Sequence, residues 1–244
     1  MDQEKSSNLL IVTGGSRGLG KALVDLCQVL EWSTLEFSRN GTGLHHIPVD
    51  LSNLDASLAV LEAQFQTLAN TRWERVIFVN NAGLLTPIAP VRALSDAQIQ
   101  QNLTVNLTSG IRLVSAFVRA FAASDSQIVI ANVSSGAAQK AYSGWSLYCA
   151  AKAGMENYMR ALAAEQSAAV RPMTCINIDP GRMDTDMQEE IRRADPADFP
   201  EVGRFIEAKS AGQLRSARAV ARAMMNIFDS APENGGRYRI GDPA

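Results

Sequence analysis

The chain has 244 residues, and 46% of them are hydrophobic, which is enough for one large core. Its formal net charge is −2, with the charges scattered along the chain, so the composition does not favour binding to nucleic acid or to an anionic membrane. The polar start of the chain and the lack of any apolar run of about 18 residues predict a cytoplasmic protein without a signal peptide or a membrane span.

The beginning of the chain combines an apolar run, a glycine-rich turn and a helical pattern. Residues 8–13 read as a buried strand, and the helical pattern that follows the turn runs to Leu30. Glycines let a backbone turn tightly and approach a pyrophosphate, whose charge is favoured at a helix N-terminus. The spacing, with Gly14, Gly18 and Gly20, is G-x-x-x-G-x-G and not the usual G-x-G-x-x-G. We interpret this turn as a phosphate-binding loop for a dinucleotide, with a purely structural glycine turn as the alternative.

The residues after the second predicted strand, at 33–38, indicate which dinucleotide is bound. An acidic residue about 20 residues after the glycine loop holds the ribose 2′-hydroxyl of NAD, whereas an arginine accommodates the 2′-phosphate of NADP. Ser38 and Arg39 occupy this place, and Arg17 in the loop adds a second guanidinium. Glu36 lies two positions earlier within the strand, and we interpret it as structural. The sequence therefore predicts NADP(H) as the cofactor.

The rest of the chain alternates strands with helices. Further strands are predicted at residues 46–50, 75–79, 128–133, 172–178 and 237–240, and helical patterns at 54–68, 95–123, 148–169 and 216–229. This alternation predicts a single α/β domain, 1–244, with a Rossmann-like, doubly wound parallel sheet of about seven strands and helices on both faces. The irregular segment 182–213 follows a strand and predicts a substrate lid, with simple packing onto the domain as the alternative.

A tyrosine and a lysine in the pattern Tyr-x-x-x-Lys are the candidates for acid–base chemistry. Tyr148 and Lys152 share one face of a predicted helix. A free phenol has a pKa of about 10, and a fixed ammonium beside it would lower that pKa toward working pH. Ser135, at the end of the predicted strand 128–133, would hydrogen-bond a substrate oxygen shared with Tyr148.

Neither the cysteines nor the histidines form a pattern typical of a disulfide framework or a metal site. Cys27, Cys149 and Cys175 are widely spaced and include no C-x-x-C pair, which favours reduced thiols. His45 and His46 are adjacent, so on a strand their side chains would point to opposite faces. We therefore predict no metal site.

In their order and spacing, these residues resemble the short-chain dehydrogenase/reductase family over nearly the whole chain. The motifs are Thr13-Gly14-x-x-x-Gly18-x-Gly20, Asn80-Asn81-Ala82-Gly83, Asn106, Ser135, Tyr148-x-x-x-Lys152 and Pro180-Gly181 with Thr185. The resemblance implies a catalytic tetrad of Asn106, Ser135, Tyr148 and Lys152. In it, Tyr148 is the acid or base on the substrate oxygen, and Ser135 polarises the same oxygen. Lys152 lowers the tyrosine pKa and holds the nicotinamide ribose, and Asn106 anchors a water that relays protons.

The resemblance also implies a cofactor site and an assembly. The candidate NADP(H)-binding residues are Gly14, Ser16, Arg17, Gly18, Leu19, Gly20, Ser38, Arg39, Asp50, Leu51, Asn80, Asn81, Ala82, Gly83, Tyr148, Lys152, Pro180, Gly181, Met183 and Thr185. Among them, Asp50 and Leu51 are placed at the adenine and Thr185 at the nicotinamide carboxamide. Pairing through the helices of Asn106 and Tyr148 implies a homodimer or a homotetramer.

Within the family, the chain is most similar to the sepiapterin reductase and bacterial benzil reductase branch. The residues that carry this likeness are Ser134-Ser135-Gly136-Ala137-Ala138, Gly144-Trp145-x-x-Tyr148-Cys149, Asp184-Thr185-Asp186-Met187-Gln188 and Arg204-Phe205-Ile206. Sepiapterin reductases place an aspartate in the terminal strand to hold the pterin, where this chain has Arg239, and Asp242 would need a shift in register.

This departure favours a ketone or α-diketone, such as a benzil-like compound, as the small-molecule carbonyl substrate. The candidate substrate residues are Ser135, Trp145, Tyr148, Met187 and Phe205, with Met183 as a further wall residue. For the three apolar wall residues Trp145, Met183 and Phe205, ordinary core packing is the alternative. The alternative functions are a sepiapterin reductase acting on a pterin side-chain ketone and a catalytically silent NADP(H)-binding sensor.

Overall fold

The structure is a computed structural model that describes residues 7–43 and 45–241. In this part of the chain, seven strands form one sheet in the order β3-β2-β1-β4-β5-β6-β7, and every neighbouring pair is parallel. The strands are β1 (Asn8–Thr13), β2 (Ser33–Ser38), β3 (His46–Pro48), β4 (Arg75–Asn80), β5 (Gln127–Val133), β6 (Thr174–Asp179) and β7 (Arg237–Arg239). The strands follow one another outward from β1 to β3 on one side and from β4 to β7 on the other side of the sheet. This arrangement confirms the predicted doubly wound parallel sheet.

The helices connect the strands. They are α1 (Gly18–Val29), α2 (Leu58–Ala69), α3 (Asp96–Leu103), α4 (Ser109–Phe121), α5 (Ser146–Gln166), α6 (Asp186–Arg192), α7 (Val202–Ser210) and α8 (Ala217–Asp229). The predicted helix 95–123 is divided, because a π-helix at Thr104–Thr108 separates α3 from α4. Ser95 caps α3 in a capping box with Gln98, which explains the sharp start of that helix. The segment predicted as irregular, 182–213, contains α6 and α7.

Helices cover both faces of the sheet, as an all-parallel sheet requires. Successive side chains of a strand point to opposite faces, so Leu9 and Ile11 enter one core and Leu10 and Val12 the other. The first core includes five buried, mutually contacting phenylalanines: Phe37, Phe65, Phe78, Phe117 and Phe121. Burial of each such ring contributes roughly 1.5–3 kcal/mol, so these cores hold the sheet rigid beneath the site.

The carboxyl ends of parallel strands meet at one edge of the sheet, where ligands of this architecture bind. Thr13, Asn80, Val133 and Asp179 stand at this edge, at the ends of β1, β4, β5 and β6. A third apolar cluster lies beside it and joins the start of α5 to α6, α7 and the segment between them; its buried members are Leu85, Ala137, Trp145, Tyr148, Ile191, Phe199 and Val202. The sheet edge and this cluster together bound the candidate site.

The described residues contain neither a bilayer-spanning helix nor a cluster of metal-ligating side chains. Between residues 7 and 241, leaving out 44, no helix combines the length and the apolar character that a bilayer span needs. The same residues contain no group of three or more His, Cys, Asp or Glu side chains placed to hold a metal ion.

Candidate active site

The glycine loop between β1 and α1 needs its glycines for steric reasons. Gly14 and Gly18 have φ angles of 70° and 55°, in the left-handed region that side chains disfavour. A Cβ on Gly20 would lie 2.2 Å from the main-chain oxygen of Gly14, so only glycine fits there. The predicted loop is therefore a backbone turn packed too closely for side chains at these positions.

The end of β4 holds this loop in place. The Nδ2 of Asn81 donates to the main-chain oxygens of Thr13 and Gly14 at 2.9 Å and 3.2 Å. The main-chain nitrogens of Asn81 and Ala82 donate to Oγ1 of Thr13 at 2.9 Å and 3.0 Å. Two motifs that are far apart in the sequence thus form one rigid unit at the sheet edge.

The N-terminus of α1 fits a phosphate group. Its cap residue, Arg17, makes no side-chain capping bond, and the first turn carries no acidic residue. The first amide groups of a helix lack partners within the helix, and their partial positive charge favours an anion. Thr185 lies against this loop, with its Cγ2 3.7 Å from the position of a Cβ on Gly18. The residues present here fit a dinucleotide whose pyrophosphate rests on the glycine loop.

Two of the predicted 2′-phosphate ligands have exposed side chains, and one of them is engaged elsewhere. Arg39 is exposed at the end of β2. The Nη1 of Arg17 donates to Oδ2 of Asp186 at 3.1 Å, and both side chains are more than two thirds exposed. This ion pair joins the glycine loop to the start of α6. The roles of both arginines in cofactor binding stay predictions.

Ser38 and Asp50, also predicted at the cofactor, bond within the protein. The Oγ of Ser38 donates to Oε1 of Glu36 at 3.2 Å. The carboxylate of Asp50 caps the short helical turn Leu51–Ala56 by accepting from the main-chain nitrogen of Ser52 at 2.9 Å. Hydrogen bonds from the backbone and side chain of Ser52 lower the pKa of Asp50.

Glu36 lies buried directly below the glycine loop, a position that the sequence did not indicate. A Cβ on Gly15 would lie 2.5 Å from Cβ of Glu36. Oε1 of Glu36 contacts Nδ1 of His46 at 2.5 Å, and Oε2 is buried without a hydrogen-bond partner in the described part of the chain. Its carboxylate joins β2 to β3, in agreement with a structural role, and it also places an acidic group beside Ser38.

The predicted catalytic residues Ser135, Tyr148 and Lys152 are brought together at the ends of β5 and α5. Tyr148 and Lys152 lie on the buried face of α5, and Ser135 is near enough to Tyr148 to lower the pKa of its phenol. Ser135 caps the turn Gly136–Ala138 by accepting from the main-chain nitrogen of Ala137 at 3.1 Å. This bond fixes the serine side chain at the end of β5.

Burial dominates the titration of the tyrosine and the lysine. Together with smaller contributions from Asp179 and Cys149, and against a lowering by Ser135, it raises the pKa of Tyr148 to about 12. It lowers the pKa of Lys152 to about 8, against the attraction of Glu156 and Asp179. The pKa of the tyrosine in this structure is therefore shifted upward, opposite to the lowering predicted from the lysine, because desolvation of the phenolate dominates.

Asn106, the fourth predicted catalytic residue, lies in the π-helix and is buried. Its Oδ1 accepts from the main-chain nitrogen of Leu84 at 2.7 Å, and its Nδ2 donates to the oxygen of Leu84 and to Oδ1 of Asn102 at 2.7 Å and 2.9 Å. Its side chain thus fixes the segment that follows Asn80–Gly83. Its role in holding a water stays a prediction.

Aromatic side chains form a wall beside Tyr148. Trp145 stacks on Phe199 with ring centroids 4.5 Å apart, and it contacts Phe205 and Tyr148 at 5.5 Å and 5.8 Å. The buried Nε1 of Trp145 has no hydrogen-bond partner in the described residues. Met187, a predicted substrate residue, packs against the third apolar cluster, which contains Trp145 and Tyr148.

The remaining residues predicted near the substrate or cofactor lie elsewhere or are outside the described residues. Met183 packs on the second core, beside α8. The Arg239 side chain is exposed at the end of β7. Asp242, considered as a pterin ligand, lies outside the described residues.

Behind the serine lies a charged network of Glu156, Asp179 and Arg237 that was not predicted from the sequence. Two placements in the sequence could have indicated this network. Glu156 follows Lys152 by one helical turn, and Asp179 immediately precedes Pro180-Gly181. Arg237 gave no local signal, because it contacts both carboxylates only through the pairing of β7 with β6.

The parallel sheet, with a glycine loop at its carboxyl edge, defines a doubly wound α/β protein of the dinucleotide-binding class. A family model described as short chain dehydrogenase matches residues 8–196. The chain therefore belongs to the short-chain dehydrogenase family of oxidoreductases.

Relatives within this family confirm the branch that the sequence resembles. A benzil reductase ((S)-benzoin forming) from Bacillus subtilis (strain 168) is 34% identical over 239 residues, which cover 95% of this chain and 98% of the relative. A sepiapterin reductase from Xenopus laevis is 30% identical over 259 residues, which cover 97% of this chain and 94% of the relative.

Solved structures show the same fold. The KRED1-Pglu enzyme has a TM-score of 0.80 at 26% identity, over 94% of this chain and 99% of that one. A short-chain dehydrogenase/reductase from Saccharomyces cerevisiae has a TM-score of 0.81 at 24% identity, over 97% of each chain.

Proposed function

We propose that the protein is an NADPH-dependent carbonyl reductase that converts a ketone or α-diketone to the hydroxy product. The observation that carries the proposal is the placement of Tyr148, with Ser135 near it, beside the aromatic wall of Trp145, Phe199 and Phe205. The pair offers two donors for one substrate oxygen, and the wall offers an apolar surface for the rest of the substrate. We further propose that it acts in the cytoplasm as a homodimer or homotetramer.

The protonation of the tyrosine suits reduction of a carbonyl group. NADPH held at the glycine loop would supply the hydride for the carbonyl carbon. With its pKa raised to about 12, Tyr148 is protonated at neutral pH and acts as the acid toward the oxygen that becomes an alkoxide. Ser135 donates a second hydrogen bond to that oxygen, which stabilises the developing charge. The nearby Lys152 ammonium adds positive charge as that anion forms.

The preference for NADPH rests on the basic residues around the adenosine end of the loop. Arg17 and Arg39 are exposed, and a guanidinium matches a phosphate in shape and charge. The carboxylate of Glu36 works against a 2′-phosphate, and the two guanidiniums outweigh it in this proposal. We therefore place the 2′-phosphate at Ser38 and Arg39, with Arg17 as the second cation.

A diketone suits the pocket better than a simple ketone. The relatives named as benzil reductases are similar over nearly the whole chain. The Nε1 of Trp145 is buried without a hydrogen-bond partner among the described residues, and we propose it as the donor for a second carbonyl oxygen. Burial of a donor without a partner costs about 1–3 kcal/mol, so a substrate that satisfies it gains affinity. We propose that segment 182–213, with α6 and α7, forms the lid over this substrate.

The second candidate is a sepiapterin reductase, which is favoured by the relatives of that name. A pterin needs a carboxylate partner in the pocket, and the terminal strand has Arg239 at the aligned position. Asp242 is the residue that we propose for the carboxylate in that case. An Asp242→Asn variant that kept its activity on sepiapterin would count against Asp242 as the pterin ligand.

The experiment that tests the proposal is the oxidation of NADPH, followed by absorbance, with benzil, a small aliphatic diketone and sepiapterin offered in parallel. We expect turnover of benzil and little turnover of sepiapterin. A preference for sepiapterin would show that the substrate is a pterin and not a diketone. Tight NADPH binding without turnover of any carbonyl compound would overturn the proposed activity in favour of a sensor.

A further inference from the structure

A charged network lies directly behind the Ser135–Tyr148 pair. The Nε of Arg237 donates to Oε1 of Glu156 at 2.9 Å, and its Nη2 donates to Oδ2 of Asp179 at 3.2 Å. The same Nη2 lies 3.4 Å from the main-chain oxygen of Ser135. One guanidinium from β7 therefore joins α5, the end of β6 and the residue that carries the serine hydroxyl.

Both carboxylates of this network are deeply buried. The side chains of Glu156 and Asp179 are 2% and 7% exposed, whereas that of Arg237 is 30% exposed. Glu156 also accepts from Oγ of Ser134 at 2.5 Å and from Nε2 of Gln139 at 2.7 Å. A buried carboxylate without its cation is costly, so Arg237 compensates for a charge that the fold itself creates.

The charges of the site balance only when Arg237 is counted. Tyr148 faces Ser135, Asp179, Cys149 and the ammonium of Lys152. Lys152 faces Glu156 and Asp179. Two carboxylates therefore stand against two cations, Lys152 and Arg237, and loss of Arg237 would leave one negative charge in excess.

We propose that Arg237 is a positioning residue for the reduction, which holds the backbone of Ser135 and cancels the charge of Asp179 and Glu156 toward Tyr148 and Lys152. This inference rests on the proposed function for its kinetic consequence. The electrostatic effect of Arg237 concerns only side chains of this protein, so it can be measured without a substrate.

The sign of the effect follows from the excess negative charge. A nearby anion favours the protonated form of both an ammonium and a phenol, so loss of Arg237 raises the pKa of Lys152 and of Tyr148. A less acidic Tyr148 is a poorer proton donor, so kcat falls at neutral pH. At the same time, the decline of activity at alkaline pH moves to higher pH, because Lys152 stays protonated longer.

The test compares three variants. Arg237→Met removes the charge and the hydrogen bonds, Arg237→Lys keeps the charge without the planar fork, and Arg222→Met removes an exposed arginine of α8 as the matched control. Thermal unfolding establishes that each variant is folded. The measurements are the pH profiles of kcat and KM for benzil reduction and the titration of Lys152 by NMR, with lysine labelled at the ε-carbon and the Lys152 signal assigned from Lys152→Met.

We expect Arg237→Met to lower kcat about tenfold or more and to move the Lys152 titration upward by about 0.5 to 1 pH unit. Arg237→Lys should restore the titration midpoint but only part of kcat, since charge alone does not position Ser135. Arg222→Met should resemble the wild type in both measurements. A residue that only stabilises the fold would lower the melting temperature without moving the titration.

An unchanged Lys152 titration and an unchanged pH profile in Arg237→Met would overturn the inference. Absence of carbonyl turnover in the wild type would overturn the proposed function and the kinetic role of Arg237. The NMR titration still decides the electrostatic part in that case, so the two failures are distinguishable.

Discussion

Lys152 lies one helical turn after Tyr148 but does not bond to it. Its Nζ donates to the main-chain oxygen of Val133 at 2.8 Å and lies 5.6 Å from the centre of the tyrosine ring. The bond ties α5 to the end of β5, the strand that leads to Ser135. The lysine therefore contributes to the geometry of the site as well as to its charge.

Tyr148→Phe tests the assignment of the proton donor. The change removes one hydroxyl from a buried ring, so the fold and the glycine loop stay intact while the acid is lost. We expect kcat to fall by about 10²- to 10⁴-fold, the usual contribution of a positioned acid. The Kd for NADPH, measured by fluorescence, should change little. Wild-type kcat in this variant would show that the proton comes from another group.

The pH dependence of reduction tests the titration of the lysine. The Lys152 ammonium stabilises the forming alkoxide, and burial lowers the pKa of Lys152 to about 8. Activity should therefore be full below this value and decline as pH rises through about 8, while Tyr148, with its pKa raised to about 12, stays protonated. The measurement is kcat at saturating NADPH and substrate. A constant kcat up to about pH 10 would contradict the role of Lys152.

Local patterns in the sequence were enough to predict the sheet and the glycine loop. The apolar runs of β1, β4 and β5 are buried on both faces of the sheet, so their composition alone marks them as strands. The glycine loop was recognisable from the spacing of its glycines between a strand and a helix, and the structure adds the steric reason at Gly20, where a Cβ would lie 2.2 Å from the main-chain oxygen of Gly14. Apolar runs and glycine spacing depend on neighbours in the sequence.

Features that depend on distant residues escaped prediction. The π-helix around Asn106 keeps the helical hydrophobic pattern, so the sequence does not distinguish it from an α-helix. The bonds of the Asn106 side-chain amide to Leu84 likewise join residues that are 22 positions apart. Arg237 and Glu156 are 81 positions apart, and Arg17 and Asp186 are 169 positions apart. The raised pKa of Tyr148 also depends on burial in the folded state, which a Tyr-x-x-x-Lys pattern does not encode.

Trp145→Phe tests the proposed contact with a second carbonyl oxygen. Phenylalanine keeps an aromatic ring against Phe199 but lacks the indole N–H. We expect KM for a diketone to rise by roughly 3- to 10-fold, as for a lost hydrogen bond, and KM for a monoketone of similar size to change less. Phe205→Leu is the control, because it alters the same wall without removing a donor. Equal effects of Trp145→Phe on both substrates would mean that Trp145 serves only as an apolar surface.

Asp186→Asn tests whether the Arg17–Asp186 pair competes with the cofactor. The variant frees the Arg17 guanidinium from its partner on α6. Both side chains are exposed, so the pair is worth at most about 1 kcal/mol, and we expect NADPH to bind about 2- to 5-fold more tightly. NADH binding should stay the same, since NADH lacks the 2′-phosphate.

The matched control for Asp186 is Glu189→Gln. Glu189 lies on the same helix and pairs with Arg193, away from the glycine loop. Its variant should leave the Kd of both cofactors unchanged. Equal tightening of NADPH and NADH by Asp186→Asn would place Arg17 outside the 2′-phosphate site.

Glu36→Gln tests the buried carboxylate below the glycine loop. Glutamine has nearly the same shape and keeps a polar contact with His46 and Ser38, but it removes a negative charge beside the proposed 2′-phosphate site. We expect the ratio of the NADH Kd to the NADPH Kd to rise about 3- to 10-fold, because only NADPH brings an additional negative charge to this place. Arg39→Met should shift the same ratio in the opposite direction. Fluorescence titration with both cofactors gives all of these values without turnover, and an unchanged ratio in Glu36→Gln would show that the carboxylate does not act on the 2′-phosphate.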